Sequence, residues 1–282
     1  AHNTLTVDGE SSSVPGGPFS WKSVAEARAR EWRTHARFDF FGGEHDGFAR
    51  LPSPATHIRS ILFLKGDYWV MRDRVETEGP HSYELHFHFA PESAPAMDEN
   101  AVRERVEGSP GLELFSFGGG DWREEEGWVS RCYAGRSPAP VYTFSASAEG
   151  ACEFVTFLVP RRAGEPKVTI KERACARGRA FELRDGDMHD LVLLGDGGLI
   201  KTERVETDFS WAWARFTAGG TLPEELVLIH GSRLVLDGRE LVSAPERVAY
   251  VVARREGDVL SVEADGQLST LPLQAQDFRF AV

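Results

Sequence analysis

Cysteine is scarce in this 282-residue chain, and the three present, Cys132, Cys152 and Cys175, are an odd number without metal-ligand spacing. They allow at most one internal disulfide, so a disulfide framework is excluded and buried thiols are expected. Long apolar runs are missing as well: nothing approaches the roughly 20 residues of a membrane-spanning helix, and no charged-then-apolar leader is visible. Bases are outnumbered, with 32 Lys and Arg against 44 Asp and Glu and a formal net charge of −12. Such a surface repels nucleic acid and anionic membrane, and neither is expected as a partner. Closed zinc-site spacing, a nucleophile elbow and a phosphate-binding loop are all lacking.

What the chain has in quantity is a period of two. Tyr83, Leu85, Phe87 and Phe89 alternate with Glu84, His86 and His88, and Phe209, Trp211 and Trp213 alternate with Ser210, Ala212 and Ala214. Both patterns predict half-buried strands. Ile61–Leu64, Phe154–Val159 and Leu191–Leu194 are short apolar runs, expected for strands covered on both faces. Turn signals such as Asp8-Gly9, Asp185-Gly186, Asp196-Gly197-Gly198 and Asp237-Gly238 separate such segments. The spacing predicts an all-β fold, a large antiparallel β-sandwich of the supersandwich type with about twenty strands.

Two points of organisation stay open. The stretch from Val24 to Ala36 is rich in helix formers, but alternation puts Arg28, Arg30, Trp32 and Thr34 on one side of a strand and Arg33, His35 and Arg37 on the other, so a strand is expected. The glycines at Gly195 to Gly198 are the best candidate boundary. They would divide a main sandwich, residues 1–198, from C-terminal strands, residues 199–282, that complete it or form a small β unit. The alternative is a tight hairpin turn inside one sandwich.

Nine histidines are a generous supply of titratable groups. His2 precedes the first strand, His45-Asp46 sits in a polar turn, and His57 with Arg59 opens an apolar strand. His45 and Asp46 could face a cleft or merely shape the turn. His57 and Arg59 share a strand face toward either a cleft or a neighbouring sheet. His86 and His88 also share a face and could chelate a metal, although solvent-facing strand positions explain them better. Arg28, Arg30, Arg33, His35 and Arg37 surround Trp32 in the densest cationic stretch. Arginine forks pair with carboxylate or sulfate and an indole offers a face to a sugar ring, so an acidic-sugar surface competes there with an ion-paired exposed strand. The candidate substrate-binding set is therefore Arg28, Arg30, Trp32, His45, Asp46, His57 and Arg59, with no catalytic residue assigned.

One ordered set of segments is more specific than its parts. His2-Asn3-Thr4, Val7-Asp8-Gly9, Phe19-Ser20-Trp21, Glu44-His45-Asp46-Gly47-Phe48, His57-Ile58-Arg59-Ser60 and Gly66 to Asp73 follow one another along the chain. Together they resemble the C-terminal β-sandwich half of the heparinase II/III-like polysaccharide lyases of bacteria, a family that includes oligo-alginate lyases. The specific part of the likeness runs from Ala1 to about Glu92.

The resemblance implies an enzyme in two parts, an α-helical toroid and a β-sandwich, that cleaves a uronic-acid-containing polysaccharide by β-elimination. It implies Tyr, His and Asn as the catalytic types, with Tyr and Asn on a toroid that should precede Ala1. A His-x-His-x-Asp stretch and an Asp-Pro-Gly stretch of the family have no counterpart here. His2 matches a histidine that resembles a structural zinc ligand, so zinc is expected in the intact enzyme and none for this chain alone. An acidic polysaccharide or oligosaccharide is the implied partner, with a secreted or periplasmic location. A self-standing carbohydrate-binding or scaffolding sandwich is the alternative.

Overall fold

A computed structural model of the chain describes residues 2–104, 110–217, 219–256, 259–269 and 279–280. No helix occurs among the described residues. The chain falls into two compact units, Ala1–Glu165 and Pro166–Val282.

The first unit begins with β1 (Leu5–Val7), β2 (Val14–Gly17), β3 (Ser20–Ser23), β4 (Ala27–Thr34), β5 (Phe38–His45), β6 (Thr56–Leu64) and β7 (Trp69–Glu76). It continues with β8 (Pro80–His88), β9 (Pro95–Asp98), β10 (Ala101–Glu104), β11 (Gly111–Phe117), β12 (Asp121–Cys132), β13 (Gly135–Glu149) and β14 (Cys152–Arg161). A four-stranded sheet runs β1-β8-β13-β12 and an eight-stranded sheet runs β4-β5-β6-β7-β14-β11-β10-β9, while β2 and β3 pair as a separate hairpin. Leu5, Tyr83, Leu85, Tyr142 and Phe144 from the smaller sheet share one core with Met71, Val75, Leu114 and Phe154 from the larger. That shared core makes the unit a sandwich, each fully buried large side chain contributing about 1.5–3 kcal/mol of transfer free energy. The alternation expected at Tyr83, Leu85 and Phe87 is observed, all three being buried along β8.

The second unit carries β15 (Thr169–Arg173), β16 (Arg179–Asp185), β17 (Met188–Leu194), β18 (Ile200–Lys201), β19 (Val205–Thr207), β20 (Trp211–Thr217), β21 (Glu225–Leu236), β22 (Arg239–Glu256), β23 (Val259–Ala264) and β24 (Arg279–Phe280). They form one 10-stranded sheet with its own core around Phe209, Phe216, Leu228 and Val251. Asp237-Gly238 joins β21 to β22 with both residues at positive φ, 48° and 76°, the conformation of a tight type I′ hairpin.

Three expectations meet a different arrangement. The division into units falls at Glu165/Pro166, so Gly195–Gly198 lies inside the second unit as the turn between β17 and β18. Ile61 and Phe63 on β6 are only half-buried: Ile61 packs against the shared core, and Phe63 stacks on Trp69 at 4.3 Å. All three cysteines are free thiols, and Cys132 is exposed at the end of β12 rather than buried.

Candidate functional site

Cross-strand register assembles the site. The β5–β6 ladder sets His45 opposite His57, and the β6–β7 ladder sets Arg59 opposite Asp73. His57 and Arg59 are two residues apart and so emerge on the same face. Their side chains converge on Asp73, which is fully buried in β7. Arg59 grips that carboxylate side-on, Nε to Oδ1 at 2.6 Å and Nη2 to Oδ2 at 3.2 Å. His57 Nε2 lies 2.6 Å from Asp73 Oδ1, and His57 Nδ1 lies 3.0 Å from His45 Nε2.

The partners assign the protons. The Gly47 N–H donates to His45 Nδ1 at 3.2 Å, so a neutral His45 carries its hydrogen on Nε2 and donates it to His57 Nδ1. His57 then carries its hydrogen on Nε2 and donates to Asp73. Electrostatics agree with this. Burial, with the nearby charge of Arg59, pulls His45 down to about 4, so it is neutral near pH 7. Burial pushes the Asp73 carboxyl up, but Arg59 and His57 outweigh it and hold it at about 2. Every ring nitrogen of the pair is engaged. The two histidines therefore hold a geometry, and neither presents a free nitrogen as a general base.

The relay backs onto an open recess of about 260 Å³ whose lining includes Thr4, Arg28, Phe41, Glu44, His45 and Arg59. The third bond of Arg59, from Nη1 to the Asn3 carbonyl at 3.0 Å, ties the segment before β1 to β6. Asn3 Oδ1 in turn accepts the His88 N–H at 2.8 Å, so this one residue bridges the two sheets. Gly43 keeps the floor low: a Cβ there would stand 2.7 Å from the Phe41 ring.

The family profile described as heparinase II/III-like, C-terminal matches residues 1–211. The chain belongs to that family. A heparin-sulfate lyase of Pedobacter heparinus is 25% identical over 188 residues, covering 64% of this chain and 26% of its own length. The crystal structure of a heparan sulfate lyase from the same organism superposes with a TM-score of 0.57 at 23% identity, over 68% of this chain and 30% of that one. A heparinase III structure gives 0.52 at 20% identity over 65% and 28%. This heparinase II/III-like chain thus spans between a quarter and a third of the relatives it matches.

The residues expected to bind substrate do not gather into one surface. A β-bulge between Ala29 and Glu31 shifts the alternation of β4 by one residue, so the arginines and Trp32 share no uninterrupted face. Arg28 pairs with Glu26 at 3.6 Å, Arg30 with Glu44, and Arg33 with Glu31 at 3.1 Å. Trp32 is exposed and donates its indole N–H to Thr34. Asp46 accepts the Glu26 N–H at 2.8 Å and so pins the turn to the approach of β4. His57 is buried, yet it lines the recess together with Arg28, His45 and Arg59.

His86 lies between Thr6 and Thr143, 3.1 Å from each hydroxyl, and His88 bonds Asn3, so both are held by polar neighbours in the sandwich. His2 is exposed. No group of three or more His, Cys, Asp or Glu able to hold a metal occurs among the described residues. Zinc normally takes four ligands, so the described residues do not by themselves make the zinc site that the resemblance implies.

Sequence reasoning passed over Asp73 as a site residue. Its signal was a carboxylate inside the otherwise buried run Val70, Met71, Arg72 and Val75 of β7, a position that demands a charge partner. Asn3, Phe41 and Glu44 carried no comparable mark.

Proposed function

We propose that this chain is the β-sandwich portion of a polysaccharide lyase that cleaves a uronic-acid-containing polysaccharide, heparan sulfate-like or alginate-like, by β-elimination. The observation that carries this reading is the family match through residues 1–211, reinforced by a relative named a heparin-sulfate lyase. Elimination needs a base for the C5 proton, a group that neutralises the carboxylate, and an acid for the leaving oxygen. The His45–His57 pair is committed to Asp73, and the proton-transferring residues are assigned to other parts of the longer protein: Tyr and Asn to a helical toroid, His to the His-x-His-x-Asp stretch that opens the family's sandwich. The sandwich contributes the opposing wall, with Arg28 and Arg59 contacting substrate at the recess, Arg30 and Trp32 offering separate contacts on β4, and His45, Asp46 and His57 holding the shape of the recess. His2 would join ligands from the His-x-His-x-Asp stretch that opens the sandwich in this family around a structural zinc. The net charge of −12 favours a sparsely charged polyuronate over densely sulfated heparin, because repulsion slows encounter. A secreted or periplasmic location follows from such substrates.

The test is an elimination assay. The longer protein containing the preceding segment, and the 282-residue chain by itself, are incubated with heparan sulfate, heparin and alginate while the ultraviolet absorbance of the unsaturated product is followed. Product from the longer protein alone is the expected result. No product from any polyuronate would contradict the lyase reading. A non-catalytic carbohydrate-binding sandwich is the second reading, favoured by the full engagement of both histidines, and it requires binding without product from either form.

A further inference from the structure

The recess beside Arg59 has a composition that the fold does not require. Arg59 carries five N–H donors. Two are fixed on Asp73 and one on the Asn3 carbonyl, which leaves two for a ligand. Its side chain is 20% exposed although its partner Asp73 is wholly buried, and it lines the recess.

The remaining wall supplies three further kinds of contact. Arg28 is 74% exposed and only loosely paired with Glu26, so it can swing toward an anion at little cost. Glu44 lines the same recess, is partly exposed and accepts hydrogen bonds. Phe41, Ala27, Ala29 and Gly43 make an apolar floor. A fixed cationic fork, a mobile cation, a carboxylate acceptor and an apolar floor match a pyranose that carries one carboxylate: charge to the arginines, a hydroxyl to Glu44, a C–H face to Phe41.

Charge balance separates this ligand from a sulfate-rich one. Arg28, Arg30 and Arg59 are offset by Glu26, Glu44 and Asp73, so the recess has no net positive field. It selects by the geometry of its donors rather than by charge density, and planar donors on a held guanidinium suit a planar carboxylate. We infer that this recess is a subsite for a single uronate residue, with Arg59 as its carboxylate contact and Asp73 as the residue that positions Arg59. The choice of a uronate rests on the lyase reading; the existence of the subsite does not.

Calorimetric titration of the 282-residue chain with glucuronate, glucose and inorganic sulfate tests it. Glucuronate is expected to bind, and glucose at least tenfold more weakly. Arg59→Gln should weaken glucuronate at least tenfold. Because that change strands the Asp73 carboxylate and could unfold the sandwich, Ala29→Glu serves as the second variant. It places a negative charge on the exposed recess wall, removes no buried contact, and should weaken glucuronate at least tenfold. Arg131→Ala, which removes one cation at the exposed Glu92 pair on β12, should leave binding unchanged. Equal binding of glucose, equal binding of sulfate, or undiminished glucuronate binding by a folded Ala29→Glu variant would each overturn the subsite. Uronate binding by the chain with no elimination by the longer protein would refute the lyase and leave the subsite standing.

Discussion

Two carboxylates in this molecule are held almost identically, one in each unit. Asp73 on β7 and Asp190 on β17 are both fully buried. Each is gripped side-on by an arginine, Arg59 at 2.6 and 3.2 Å and Arg215 at 2.8 and 2.8 Å. Each also accepts a ring N–H, from His57 at 2.6 Å and from Trp213 Nε1 at 3.2 Å. An arginine–aspartate clamp with an aromatic third donor is therefore a structural device of these sheets and says nothing about function by itself. The ring sets the two apart. Trp213 has one nitrogen and ends the chain of bonds, while His57 has two and passes the contact on to His45 and the recess.

The largest effect expected from breaking this comparison is common to both clamps. Asp73→Ala and Asp190→Ala each strand an arginine and should lower the stability of their own unit by about 3–5 kcal/mol, read from urea unfolding followed by a probe in each unit. Only the Asp73 change should also abolish glucuronate binding. Next come the ring donors. His57→Phe removes bonds to both Asp73 and His45 and should cost about 3 kcal/mol, whereas Trp213→Phe removes one bond to a charged group and should cost about 1.5 kcal/mol.

Acid should then separate the two clamps. Burial and the neighbouring charges pull His45 down to about 4 in the folded chain, below the ordinary histidine value of 6.5. Its folded value is depressed, so its contribution to stability is complete above about pH 6.5 and is lost as pH falls toward 4. Asp73, held at about 2, adds a further loss below about pH 4. The urea midpoint of the first unit should fall between pH 7 and pH 4, and His45→Gln should flatten that fall. The indole of Trp213 has no such titration. The smallest effect belongs to β4: Arg28→Ala should change stability by less than about 1 kcal/mol, since its pair with Glu26 is exposed.

The fold was legible wherever the pattern was local. The alternation of Tyr83, Leu85 and Phe87 placed β8 on the core, and Asp237-Gly238 announced a hairpin that forms. Strand rather than helix at Ala27–Thr34 could be read from the spacing of its arginines, but the bulge at Ala29–Glu31 that scrambles their faces could not, because a bulge depends on the partner strand. Glycines misled at the unit boundary: Gly195 to Gly198 make a turn within a sheet, while the chain crosses between units at Glu165-Pro166. At the site, His45, His57 and Arg59 could be singled out by residue type. Their meeting at Asp73 is a matter of register across three strands, which a single sequence does not display.

The most direct test of the difference between the clamps is NMR mapping of the 282-residue chain with glucuronate, following arginine side-chain and histidine ring signals. Shifts at Arg28, Arg59, His45 and His57, with Arg215 and Trp213 unmoved, are the expected result. A silent recess, or equal shifts at Arg215 and Trp213, would contradict it.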